Sequence, residues 1–124
     1  MSTVIGSDII LLKSAARFAA TGTNYTAPFK DAWRYTEGVF VLKASQGAGQ
    51  YTNETLDVWV MSYDTYNLYW HIIGQFTQIT NAEVTQYGRI ERPYGLGRWL
   101  SCAWAIANAV EAEAYTFGVS GFVK

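Results

Sequence analysis

The stretch that most constrains the fold is residues 56–80, in which two apolar arms are joined by a polar link. Residues 56–63 and 69–80 are rich in β-branched and aromatic side chains, which are enriched in strands. The link at residues 64–68 contains aspartate, threonine and asparagine, of which aspartate and asparagine are typical turn formers. This arrangement predicts an antiparallel β-hairpin around which the other strands are organised.

Alternation of side chains assigns faces to the two arms, because successive residues of a strand point to opposite sides. In the first arm, the apolar side chains predicted to share one face are Leu56, Val58 and Val60. In the second arm, the side chains predicted to share a face and reach a deep core are Trp70, Ile72 and Phe76. Gly74 lies in line with these three, which predicts a bulge or a close backbone contact at that position.

Further strands are predicted at residues 37–43, 98–106 and 114–123, with weaker candidates at 8–13 and 82–91. The segment 37–43 has apolar residues on both faces, which predicts a strand lying between layers. The segment 98–106 also allows a helix, with an apolar stripe formed by Trp99, Ala103, Ile106 and Val110. We favour the strand there. We also favour a strand at the N-terminal segment, although residues 14–20 have helical propensity.

The count of seven or eight short strands separated by turns predicts an all-β fold, either a two-sheet antiparallel sandwich or a jelly roll. At 124 residues the chain has the size of one domain, so residues 1–124 are expected to form a single β-sandwich domain. One compact core is feasible at this length.

Charge and cysteine content exclude several classes of protein. The formal net charge is −1, whereas nucleic-acid binding requires a basic surface, so no nucleic-acid partner is expected. The single cysteine, Cys102, cannot form an intramolecular disulfide, which favours a reducing compartment. The apolar residues 4–12 are interrupted by Asp8 and lack a basic leader, so we expect neither a signal peptide nor a membrane span. These features predict synthesis in the cytoplasm.

No set of residues predicts catalysis. His71 is the only histidine, which excludes a multi-histidine metal site, and its pairing with Cys102 as base and nucleophile is disfavoured because Cys102 lies among small apolar residues. Glu111 and Glu113 are interpreted as solvating charges rather than a catalytic carboxylate pair. We therefore expect a protein that is not an enzyme, with no catalytic residue, no cofactor and no metal site.

The high content of aromatic residues is the remaining feature of the sequence that bears on function. Five Trp and nine Tyr exceed what one small core easily buries, so several should contact another molecule. The residues predicted to form a protein interface are Tyr63, Tyr66, Tyr69, Trp33 and Trp99. An alternative hypothesis is a carbohydrate-binding module on a fibre or particle surface, in which Tyr66 and Tyr69 stack on a sugar ring beside Asn67.

Four segments carry a family resemblance: residues 56–60 (Leu-Asp-Val-Trp-Val), Trp70 with residues 74–80, residues 97–104 and residues 115–121. Together they resemble short β-sandwich virion proteins of tailed bacteriophages, over roughly the last seventy residues. The link at residues 64–67 differs from the Asp-Gly type of turn expected for that pattern.

The resemblance implies a structural protein of the virion, of the capsid decoration or minor capsid type, with a tail or neck protein as an alternative. It implies contacts with the major capsid protein or other virion subunits, a homo-oligomer and no membrane partner. The implied location is the virion, after synthesis in the host cytoplasm. The resemblance implies no activity and assigns no functional residue.

Overall fold

A computed structural model describes residues 8–18, 22–24, 30–32, 35–46, 55–80, 85–107 and 115–124. Every regular element in these ranges is a β-strand. The strands are β1 (Asp8–Phe18), β2 (Gly22–Asn24), β3 (Lys30–Asp31), β4 (Gly38–Gln46), β5 (Thr55–Asp64), β6 (Tyr69–Gln75), β7 (Ile79–Thr80), β8 (Gln86–Arg92), β9 (Trp99–Ala107) and β10 (Tyr115–Val123). Within the described ranges, no helix is long and apolar enough to cross a membrane.

The strands form two antiparallel sheets. The first sheet has the order β1-β10-β4-β8, and the second has the order β2-β9-β5-β6, with β3 also pairing with β9 and β7 with β5. The predicted hairpin is confirmed as β5 and β6, which place Tyr63 opposite Trp70. The helical alternative for residues 98–106 is wrong, because β9 pairs with β5 along its whole length. The predicted all-β class and two-sheet arrangement are confirmed.

The core lies between the two sheets. The inward side chains of β9 are Leu100, Cys102, Trp104 and Ile106, and the buried residues of β10 alternate in the same way in the other sheet. Trp104 of β9 meets Phe117 of β10 edge-on, with ring centroids 5.4 Å apart. Burial of this kind contributes about 25 cal/mol per Å² of apolar surface, so the inter-sheet layer is the main source of stability.

The prediction that β4 lies between layers is wrong. Phe40 and Leu42 are buried in the core, but Val41 on the opposite face is exposed. β4 is a central strand, since it pairs with β10 on one side and β8 on the other. One face of the first sheet is therefore covered, and the face that carries Val41 and the exposed Tyr87 and Phe122 is turned outward.

A β-bulge in β6 overturns the predicted faces of the second arm. Val60 pairs with Gly74 and Met61 pairs with Ile72, so Ile73 is the extra residue. The extra residue reverses the alternation, which places Ile73 in the core and leaves Ile72 outside, 56% exposed. Phe76 is buried as predicted, but Trp70 and Ile72 are not core residues.

The close contact predicted at Gly74 is confirmed, and it is made with a side chain of the first sheet. A Cβ at Gly74 would lie 2.9 Å from Cγ2 of Ile90 in β8, closer than real Cβ atoms approach. The two sheets therefore come together at the β6 and β8 edges. Arg92 at the end of β8 also donates to the carbonyl oxygen of Ile73 through Nη1, at 3.2 Å. This bond satisfies a backbone group at the bulge.

Candidate functional site

Three aromatic residues lie side by side on the outer face of the second sheet. Tyr63 in β5 is directly opposite Trp99 of β9 and Trp70 of β6. Directly opposed residues of an antiparallel pair share a face, so the three side chains form one line across three strands. We call Trp99, Tyr63 and Trp70 the aromatic row.

Contacts along the row hold these side chains in place. The rings of Tyr63 and Trp70 have centroids 5.2 Å apart and are tilted by 57°. The guanidinium of Arg98 lies 4.7 Å from the ring centroid of Trp99, within the range of a cation–π contact. Arg98 also forms an ion pair with Asp31 of β3, at 3.4 Å. All three row residues are half-buried, which leaves part of each ring exposed to solvent.

The outer face remains apolar beyond the row. Met61 and Ala103 are buried, although both point away from the inter-sheet core, and Ile72 is exposed beside Met61. The outer face of an antiparallel sheet in a soluble protein is usually polar and solvated. The second sheet departs from this pattern, because its outer face at this end is composed mainly of aromatic and aliphatic side chains.

The turn of the hairpin extends the apolar surface past the end of the sandwich. We call residues 65–69 the hairpin tip. Tyr66 is 91% exposed and Leu68 is 71% exposed, and Tyr69 is half exposed on the face opposite Trp70. The ring of Tyr69 lies 5.8 Å from that of the exposed His71. Ring side chains are thus presented on both faces of the hairpin end.

Asp64 fixes the conformation of the tip. Its carboxylate accepts hydrogen bonds from the backbone amides of Tyr66 (2.8 Å) and Asn67 (3.1 Å), and from the side-chain amide of Asn67 (2.8 Å). These bonds, chiefly those from Asn67, hold the pKa of Asp64 below its ordinary value. Leu68 has a φ of 58°, a left-handed conformation that is unusual for leucine. The tip therefore has a defined shape that holds an exposed leucine in a strained conformation.

Replacing Asp64 by alanine is expected to lower the melting temperature at neutral pH, because three hydrogen bonds at the turn are lost. The pKa of Asp64 is lowered in the folded state, so its contribution is present above its ordinary value of 3.8 and is lost as the pH falls through the lower, folded-state value. The melting temperatures of the wild type and Asp64→Ala should therefore converge in acid. Circular dichroism melts across this range measure the difference. Thr65→Ala, in the same exposed turn, is the control, and an undiminished difference in acid would contradict the assignment.

The structure distributes the predicted interface residues over one end of the molecule. Tyr63 and Trp99 belong to the aromatic row, and Tyr66 and Tyr69 belong to the hairpin tip. Trp33 lies outside the described residues. The residues predicted for the interface do not include Trp70, Ile72 and Leu68, which the structure places at the same end. Trp70 and Ile72 are predicted in the core because the alternation is taken as unbroken from residue 70 to residue 76, whereas the bulge at Ile73 interrupts it. Leu68 lies in the turn between the two strands, where the alternation of strand residues does not predict which side chains are exposed.

The structure does not bring Cys102 and His71 together as a nucleophile and base. Cys102 is buried in the core, whereas His71 is exposed at the opposite side of β5. The strands β9 and β6 that carry them are separated by β5, which corresponds to roughly 9–10 Å. Among the described residues, no group of three or more His, Cys, Asp or Glu side chains could hold a metal ion. Glu111 and Glu113 lie outside the described residues.

The chain is a small two-sheet β-sandwich whose second sheet has an apolar, ring-rich outer face at the hairpin end. A scan against protein-family models finds no match to the chain, and a search of curated proteins also finds none.

Proposed function

We propose that this chain is a non-enzymatic structural protein of a bacteriophage virion, of the capsid decoration or minor capsid type. It stabilises the head by protein–protein contacts with the major capsid protein or other virion subunits. The proposal combines the sequence resemblance with a surface that is suited to binding proteins. Its partners include further copies of the chain, and its location is the virion.

The observation that carries the proposal is the continuity of the aromatic row with the hairpin tip. Tyrosine and tryptophan dominate the energetics of protein interfaces, because each buries a large area at a low cost in side-chain entropy. The row is held by ring and cation–π contacts, and the tip is held by Asp64. A surface that is ordered before binding loses less entropy on association.

The charged residues beside the row lie at its edge, as expected for a contact made mainly by apolar side chains. Arg98 is paired with Asp31 at the edge of the row, which leaves the remainder of the row, Tyr63 and Trp70, without an ionised side chain. Interface cores are depleted of charged residues and have a polar rim. The row provides such a centre, and the Arg98–Asp31 pair provides part of the rim.

Mass spectrometry of density-purified particles tests the proposal. The particles come from a phage whose genome encodes this chain. We expect the chain in intact particles, in stoichiometric proportion to the major capsid protein, and retained after a salt wash because the contact is apolar. A chain that is found in the infected-cell lysate but is absent from washed particles would contradict the proposal.

The same particles separate the head assignment from the alternative of a tail or neck protein. A head decoration protein is expected in numbers comparable to the capsid subunits, whereas a tail or neck component is expected in a few copies, in accordance with the symmetry of its site. Comparing peptide intensities with those of the major capsid protein distinguishes the two.

The carbohydrate-binding alternative has one observation in its favour, the exposure of Tyr66 and Tyr69 beside Asn67. The amide of Asn67 already donates to Asp64, so its donor capacity for a sugar hydroxyl is partly used. Glycan-array binding that disappears in Tyr66→Ala would favour this alternative over the capsid role.

A further inference from the structure

A groove lies on the outer face of the first sheet, on the opposite side of the sandwich from the aromatic row. Its volume is about 540 Å³, within the roughly 300–1,000 Å³ that small-molecule sites occupy. Val41, Lys43 and Ser45 of β4 form its floor, residues 116–120 of β10 line one side, and Tyr87 of β8 lines the other. Three neighbouring strands of one regular sheet therefore build the groove.

One line of residues crosses the middle of the groove. Lys43 is directly opposite Tyr87 on one side and Gly118 on the other, so the three positions share a face. Adjacent strands are about 4.8 Å apart, so the line spans roughly 10 Å. Tyr87 is 67% exposed, and Gly118 has no side chain to fill the groove beside Lys43. An aromatic ring and an ammonium group thus border the same open space.

The charge of the groove is positive. Lys43 is exposed and forms no ion pair with any other residue that the structure describes, whereas the neighbouring Arg89 is paired with Glu91 at 2.7 Å. The described residues that line the groove include no aspartate or glutamate. A ligand that carries one negative charge would supply the missing counter-ion, and a carboxylate can accept a charge-assisted hydrogen bond from the ammonium group.

Hydroxyl side chains surround Lys43 on the same face. Ser45 is the next outward residue of β4, and Thr116 and Ser120 are the outward residues on either side of Gly118 in β10. A serine or threonine hydroxyl can both donate and accept a hydrogen bond. These side chains can therefore bind a ligand that is itself rich in hydroxyl groups.

We propose that this groove binds an acidic sugar residue of a glycan, such as a uronic or sialic acid. Lys43 binds the carboxylate, and the ring of Tyr87 packs against the C–H face of the sugar ring, since an aromatic side chain presents an apolar ring face. The sugar hydroxyls bond to Ser45, Thr116 and Ser120. An inorganic anion would use the ammonium group alone, and an apolar partner would leave it without a counter-ion.

This inference goes beyond the proposed function and does not depend on it. The groove and the aromatic row lie on opposite outer faces, so a chain that binds virion subunits through the row keeps the groove open to solvent. The site also differs from the carbohydrate alternative at Tyr66 and Tyr69, which belong to the hairpin tip. Variants of the two sites therefore give different results.

A glycan array tests the inference with the isolated full chain. The array carries glycans that end in uronic or sialic acids beside matched neutral glycans, in which the uronic acid is replaced by the hexose or the sialic acid is removed. We expect binding to acidic glycans that is lost in their neutral counterparts and weakens as salt is added. Equal binding to acidic and neutral glycans, or binding to neither, would overturn the inference. Equal binding to a polyglutamate peptide would overturn the assignment to a sugar.

Two exposed residues of the groove can be replaced without disturbing the core. Lys43→Met is expected to weaken binding at least about tenfold, as measured by isothermal titration calorimetry with the best acidic glycan of the array. Lys30→Met removes the same charge from β3 in the second sheet and should bind as the wild type does. Tyr87→Ala should also weaken binding, whereas Tyr66→Ala should not. All four variants should melt close to the wild type.

A third variant fills the groove without changing its charge. Gly118→Val adds a side chain beside Lys43 at an outward position of β10, where a β-branched residue suits the strand. It is expected to abolish glycan binding and to leave the thermal melt unchanged or higher. Full binding by Gly118→Val, or loss of binding in Tyr66→Ala but not in Tyr87→Ala, would overturn the inference. None of these results affects detection of the chain in particles, so failure of the two proposals can be distinguished.

Discussion

Replacing Phe117 by alanine is expected to lower the free energy of unfolding by about 3–5 kcal/mol. Phe117 is 1% exposed, and its ring contacts Trp104 in the opposite sheet. The truncation removes buried apolar surface and leaves a cavity between two sheets that are hydrogen-bonded along their lengths and cannot easily collapse into it. Urea denaturation followed by tryptophan fluorescence measures the loss.

Phe122→Ala is the matched control for this prediction. Phe122 lies on the same strand, β10, but its side chain is on the outer face of the first sheet and is 50% exposed. Its truncation is expected to change stability by no more than about 1 kcal/mol, since much of its ring is already hydrated. Equal losses in the two variants would contradict the assignment of inner and outer faces.

Replacing Gly97 by alanine is expected to destabilise the protein by about 2–3 kcal/mol, for two separable reasons. Gly97 has a φ of +81°, where a Cβ atom costs about 1–2 kcal/mol. An added Cβ would also collide with Oγ of Ser62, which is buried in β5, so that this hydroxyl must move. The turn that follows β8 is therefore fitted closely against the hairpin that carries the aromatic row.

Gly95→Ala isolates the first of these reasons. Gly95 has a similar φ of +67°, but an added Cβ would meet only Nη2 of Arg92 at 3.6 Å, an ordinary contact. We expect a loss of about 1 kcal/mol, caused by backbone strain alone. In the Gly97→Ala background, Ser62→Ala should recover the steric part, a coupling that a double-mutant cycle measures. The absence of any difference between the two glycine variants would contradict the contact between the turn and Ser62.

Much of the fold could be predicted from the sequence because apolar residues recur at every second position in several of its strands. Residues 115–123 place an apolar side chain or glycine at every second position, and these are the residues that the structure buries. The inward residues of β5 and β9 are also buried at alternate positions, although Met61, Ser101 and Ala103 on the outer face are buried too. Period-two burial against a second sheet is a strong pattern, and it prevails over the helical propensity of the alanine-containing residues 98–106.

The second arm of the hairpin could not be predicted, because one extra residue in a strand reverses every later side chain. The sequence predicts a bulge or a close backbone contact at Gly74, since glycine often marks either. Gly74 makes the close contact, with Ile90, and the bulge lies one residue earlier. The bulge moves Trp70 and Ile72 from the predicted core to the outer face, where Trp70 completes the aromatic row and Ile72 is exposed.

The exposure of two of the residues predicted for the interface follows from turn chemistry. Tyr66 lies in the link 64–68, which contains turn formers, and Tyr69 comes directly after it; such links lie at the surface. The alignment of Trp99 with Tyr63 depends on the register between β9 and β5. The paired residues Tyr63 and Trp99 are 36 positions apart in the sequence (99 − 63 = 36), and no local pattern specifies which residues of the two strands are opposed.

Hydroxyl-radical footprinting of the chain in assembled particles tests whether the aromatic row and the hairpin tip form the contact surface with other virion subunits. Tyr66 and Tyr69 should be labelled in the isolated protein and protected in particles, whereas the exposed Tyr87 and Tyr94 should be labelled equally in both. Continued labelling of Tyr66 and Tyr69 in particles, with protection of Tyr87 and Tyr94 instead, would contradict the account.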